Sequence, residues 1–144
     1  MKYVASFTDS KGKKITLKDS EKSKTITGFS FKSNSLEDNS IERDRNARCE
    51  FTFYGEITPV NNYDLGEIAN LSIKSSDVYV QLDVDVINED DGTKIYRRLS
   101  FDKVFFVDYT ESFDNNKSSF EIQLAQSPLG KKQDISFDID DEDE

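Results

Sequence analysis

Apolar residues recur at every second position along most of this chain. From Asp77 to Ile87, the residues Val78, Val80, Leu82, Val84 and Val86 alternate with Tyr79, Gln81, Asp83 and Asp85. That spacing predicts a strand with one apolar face and one wet face. The polar run Asn88–Gly92 reads as a turn, and Thr93–Phe101 returns with Ile95, Leu99 and Phe101 on one side, so the two runs predict an antiparallel hairpin. Glu50–Ile57 directs Phe51, Phe53 and Ile57 inward. Phe105–Phe113 is rich in aromatic and β-branched residues, and after the turn Asp114–Lys117 the run Ser119–Gln126 alternates Phe120, Ile122 and Leu124 with Glu121 and Gln123. Shorter strands are expected at Tyr3–Thr8, Lys14–Lys18 and Thr25–Lys32, with Lys11-Gly12 turning the first pair.

Two segments break the period. Asn61–Ile73 carries Leu65, Ile68, Ala69 and Ser72 at helical spacing, with Asn61 or Asn62 suited to the N-cap, and predicts one short helix. Ser33–Arg48 has only Leu36 and Ile41 as large apolar residues among mixed charges. It is long for a connection between strands, and loops of that length are functional or disordered. The expected fold is therefore mainly β: a small two-layer antiparallel β-barrel or sandwich with one short flanking helix and a long inter-strand loop. Its core residues are expected to be Phe51, Phe53, Val80, Leu82, Val84, Leu99, Phe101, Phe120, Ile122 and Leu124.

The length of 144 residues suits one domain. We expect that domain at residues 1–130, followed by an acidic C-terminal tail at 131–144. The tail contributes half of the net charge of −10, and its Ile135, Phe137 and Ile139 also alternate, as an edge strand would. Without the tail the chain is only mildly acidic and has no clustered Lys and Arg, so direct nucleic-acid binding is not expected. No apolar run has the length of a signal peptide or a membrane span, which leads to an expectation of synthesis in the cytoplasm.

The chain contains no histidine, which removes the usual general base, the usual zinc ligand and the partner of a nucleophilic Ser or Cys. The single Cys49 starts an apolar strand, the setting of a small core residue. No phosphate-cradling glycine motif occurs. An EF-hand register with Gly92 at its sixth position places Ile87 first and Arg98 twelfth, and neither ligates calcium. No catalytic residue, metal ligand or cofactor is assigned, and the chain is expected not to be an enzyme.

The stretch from Ile95 to Gln126 carries a resemblance. A strand ends in Arg97-Arg98, and Ser100-Phe101-Asp102-Lys103-Val104 leads into Phe106-Val107-Asp108-Tyr109. The acid–aromatic turn Glu111-Ser112-Phe113-Asp114 follows, and Phe120–Gln126 closes the pattern. This resembles the C-terminal half of the inner-tube subunits of contractile injection machines, the haemolysin co-regulated proteins and phage tail-tube proteins. The order of elements over residues 23–126 is similar too. The resemblance implies rings, hexameric in this family, that stack into a tube, with sheath and baseplate proteins as partners and a phage tail or injection particle as the destination. It also implies that the long loop bridges subunits, through Leu36, Glu37, Ile41, Arg43, Arg45 and Arg48. A tube-end or baseplate adaptor of the same fold fits the same residues. So does a carbohydrate- or protein-binding β-sandwich using Tyr54, Tyr79 and Tyr96.

Overall fold

The computed structural model describes residues 1–20, 24–33, 49–74, 78–91 and 94–140. In chain order the elements are β1 (Lys2–Asp9), β2 (Lys14–Lys18), β3 (Ile26–Ser33), β4 (Cys49–Glu56), α1 (Asn62–Ser72), β5 (Val80–Asn88), β6 (Lys94–Phe113), β7 (Ser118–Gln126) and β8 (Gln133–Asp140). A single 3-10 turn, Glu89–Asp91, joins β5 to β6. All pairings are antiparallel and follow the order β2-β1-β5-β6-β7-β4-β3, with β8 also on β6. The mainly β, antiparallel fold, with one helix among the described residues, is as the sequence pattern predicts. The sheet is not closed into a barrel: its end strands β2 and β3 do not pair with each other.

The sheet folds into two layers through β6, whose length corrects the expectation of two separate strands at 93–101 and 105–113. This one strand of 20 residues changes partners along its course. Its first part, Lys94–Val104, lies beside β5, with β8 on Lys94–Phe101. Its second part, Val104–Phe113, pairs with β7. The bend falls at Lys103, which adopts a left-handed φ of 52°. Such a backbone costs a non-glycine residue roughly 1–2 kcal/mol. The corner is held by Ser127 N–H donating to Lys103 O (2.8 Å) and by the Lys103 ammonium 5.4 Å over the Tyr79 ring.

Layer one is thus β2-β1-β5-β6-β8, and layer two is the second half of β6 with β7, β4 and β3. Aromatic residues join them. Phe7 of β1 meets Phe53 of β4 edge-on (5.9 Å), and Phe101 of β6 meets both Phe51 of β4 (5.0 Å) and Phe31 of β3 (5.7 Å). Such pairs add about 0.5–1.5 kcal/mol beyond the area they bury. The pairing of β5 with β6 shifts register between Val86 and Ile87; Val86 still packs against the core, and Ile87 is buried as well, so burial stops alternating at this end of β5.

Two buried polar side chains set the connections. Asp19 accepts the N–H groups of Tyr3 (3.1 Å), Thr25 (2.8 Å) and Ile26 (2.9 Å), tying the end of β2 to the start of β3. Gln126 is fully buried at the end of β7. Its amide donates to Asp102 O (2.9 Å) and Lys132 O (3.0 Å), and its carbonyl accepts from Gln133 Nε2 (2.6 Å). The turn that delivers β8 is folded around this one side chain. Gln126→Leu is expected to cost about 2 kcal/mol, because it removes, at a fully buried position, the side chain that bonds Asp102 O, Lys132 O and Gln133. Amide exchange should accelerate in Gln133–Asp140 more than in β5.

Asn61 stands at the N-cap of α1 but makes no side-chain cap bond. Its carbonyl accepts from Thr58 N–H (2.8 Å), and its amide donates to Glu56 O (2.8 Å) and Thr25 Oγ1 (3.1 Å), anchoring the approach to the helix. The helix buries Leu65 and Ile68 and packs on β2 and β6.

Candidate assembly surfaces

The registers of layer one line its side chains up in straight rows. On the outer face one row runs Thr16, Ser6, Asp83, Ser100 and Asp134, and the next runs Lys18, Val4, Asp85, Arg98 and Ser136. Neighbours in these rows satisfy one another. Ser6 Oγ lies 3.1 Å from Thr16 Oγ1, Ser100 donates to Asp83 (2.6 Å), and Arg98 forks onto Asp85 (2.9 and 3.2 Å). The result is a nearly continuous polar wall. On the inner face the matching row is Leu17, Ala5, Val84, Leu99 and Ile135. The first four are buried, while Ile135, on the last strand, is 45% exposed.

The two open sides of the sandwich differ. On one side α1 closes the gap between β2 and the second half of β6. Leu65 and Ile68 enter the core there, and Tyr109 reaches the helix, its hydroxyl 3.3 Å from Leu65 O and 2.6 Å from Glu111 Oε1. Burial first, then hydrogen bonding to the Glu111 carboxylate, push the Tyr109 phenol far up, so it stays protonated as a donor. Lys13 of the β1–β2 turn pairs with Glu67 of the helix, whose carboxylate holds the ammonium above its usual pKa.

Among the described residues, the other side has no helix. Between β3 and β8 lies a groove of about 310 Å³, walled by Phe29 and Phe31 and floored by Tyr3, Val86, Leu99 and Ile135. Phe137 continues its apolar rim at 66% exposure, with the Arg97 guanidinium 5.9 Å over its ring.

Free strand edges complete the picture. Among the described residues, β2, β3 and β8 each pair on one edge only, and Phe105–Phe113 of β6 pairs only with β7. An unpaired edge presents N–H and C=O groups as a template for another strand.

The ten residues expected in the core are all buried, and Cys49 lies with them. Leu36, Glu37, Ile41, Arg43, Arg45 and Arg48 fall in 34–48, outside the described residues. The three tyrosines do not form a common platform. Tyr54 lies in a shallow groove with Glu56, Lys117 and Glu121, Tyr79 meets Phe105 edge-on, and Tyr96 is hydrogen-bonded to Asn88. Among the described residues, no group of three or more acidic, Cys or His side chains is placed to hold a metal, and no helix is long and apolar enough to cross a membrane. The sequence pattern does not show that β2 and β8 form the two borders of one layer, because that depends on the pairing of all five strands.

No family model matches the chain, and no curated protein matches it by sequence. Its backbone is similar to solved structures over nearly its full length. One is a chain of the six-fold symmetrised cryo-EM structure of the anti-feeding prophage baseplate, at a TM-score of 0.52 and 9% identity, covering 94% of this chain and 92% of that one. Another is the crystal structure of an Hcp protein, at a TM-score of 0.52 and 6% identity, covering 95% and 99%. The chain has the tail-tube and Hcp-like fold that the stretch Ile95–Gln126 resembles.

Proposed function

We propose that this protein is a structural subunit that closes into hexameric rings, which stack into the inner tube of a phage tail or contractile injection system. The observation that carries the reading is a full-length tail-tube-like fold whose polar-faced layer one has a free edge at each end. A subunit with unlike edges at its two ends makes a head-to-tail contact, which closes into a ring when the rotation per subunit divides a full turn. The outer rows of layer one, with Ser6, Asp83, Ser100 and Arg98, supply a wall that tolerates water, as a channel lining must. Six subunits per ring agree with the symmetry of the similar baseplate assembly. Sheath and baseplate proteins would then be partners, and an injection particle the final location.

The baseplate similarity also favours a second reading, in which the same ring sits at the tube's end rather than repeating along it. Sedimentation velocity over a wide concentration range tests the common core of both. A tube subunit gives a ring species and then larger stacks, and an end adaptor stops at one ring. A chain that stays monomeric at every concentration and salt level would contradict both.

A further inference from the structure

The groove between β3 and β8 is apolar along its walls and floor but carries a charge at one end. The registers place Tyr3, Val86, Arg97 and Phe137 in one row, beside the row that ends in Leu99 and Ile135. Arg97 thus lines an otherwise apolar groove. One of its N–H groups donates to Tyr96 O (2.8 Å), and its guanidinium lies over the Phe137 ring. An arginine has about five such donors, so most of this fork is unused. Lys24 stands at the same end, its ammonium donating to Met1 O (2.9 Å) and 6.0 Å over the Tyr3 ring. Among the described residues no carboxylate pairs with Arg97 or Lys24, and no acidic residue lines the groove. In a chain of net charge −10, this is a cationic end on an apolar trough. Its wall residues, Phe29 and Phe31, belong to β3, which among the described residues pairs only with β4.

We propose that this groove binds an extended peptide of another protein, with apolar residues at alternate positions followed by acidic ones, added as a strand to the free edge of β3. The peptide backbone continues the ladder of layer two, which supplies affinity without regard to sequence. Side chains alternate faces, so every second residue turns into the groove and covers Tyr3, Val86 and Ile135. The acidic residues follow at the Arg97 end. There a carboxylate accepts the unused guanidinium N–H groups as a charge-assisted fork, and Lys24 adds a second cation. A peptide fits better than a lipid acid of the same polarity, because only a backbone can use the strand edge. The site belongs to the single chain and does not depend on the ring reading.

Fluorescence anisotropy tests it with a labelled, capped peptide that alternates Ile and Val with Thr in its centre and carries a pair of Glu at each end. Two control peptides replace Glu by Lys or methylate the backbone nitrogens that would face β3. The full chain is titrated at concentrations where sedimentation shows single chains, and circular dichroism checks that each variant folds. The Glu peptide is expected to bind, the Lys peptide at least about tenfold more weakly, and the methylated peptide not at all. Arg97→Glu and, separately, Ile135→Asp are each expected to weaken the Glu peptide at least about tenfold, through a like charge at the end and in the floor. Equal binding of the Glu and Lys peptides, or wild-type affinity in Arg97→Glu, would overturn the proposal. Undiminished binding of the methylated peptide would overturn it too, since a ligand held without a ladder could equally be a lipid acid. If no peptide binds while Ile135→Asp abolishes association of the chain with itself, the groove's occupant is a second copy, and the ring reading stands without this proposal. If the Glu peptide binds as expected and the chain never associates, the ring reading alone fails.

Discussion

Phe53→Ala is expected to remove about 4 kcal/mol of folding stability, in the usual range for deleting a large ring from a packed core. Phe53 is fully buried on β4 at the boundary of the two layers. Its ring meets Phe7 of layer one and Phe29 of β3 (4.8 Å), so its loss opens a cavity on both sides at once. Small domains have about 5–15 kcal/mol in total, so the variant should unfold at a much lower urea concentration with a similar slope. Tyr54→Ala, one residue along on the exposed face, should shift the midpoint little.

Gly55→Ala is the second large effect, and it acts by crowding. A methyl group added at Gly55 would stand 1.9 Å from Thr25 O and 2.5 Å from two ring atoms of Phe120. The carbonyl is held in place, because it accepts the Glu56 N–H (3.1 Å) beside the place where Asp19 anchors Thr25 and Ile26. Relief requires β3 and β4 to move apart, at a cost of about 3 kcal/mol. Equilibrium unfolding measures it, and a loss below about 1 kcal/mol would show that the strands separate easily here.

The parts of this fold that depend on a local period are visible in the sequence. β5 announces itself through Val80, Leu82 and Val84, and α1 through Leu65 and Ile68. What the period cannot show is where a strand changes partners. Asp102-Lys103 reads as a break between strands, yet it is a corner inside β6, because the long-range bonds to Ser127, Lys131 and Lys132 hold the chain extended through the bend. The bulge after Val86 is hidden for the same reason, since it is a property of the pairing with β6.

The site was less visible than the fold. Asp19 and Gln126 look like ordinary polar residues at strand ends, and only their burial shows that they anchor connections. β2 and β8 are widely separated in sequence, and only the topology makes them the two borders of one layer. The alternation of Ile135, Phe137 and Ile139 did announce a strand inside the acidic C-terminal segment. Its exposed apolar side shows that this strand extends past the cover that layer two provides.

Copies of this one chain are expected to close into a ring around a channel. End-on class averages of the concentrated, purified protein by electron microscopy test it most directly. Closed rings of six subunits with an open centre are expected, with side views that show rings stacked at a regular spacing. Discrete monomers, or open filaments with no closed end-on view, would contradict it.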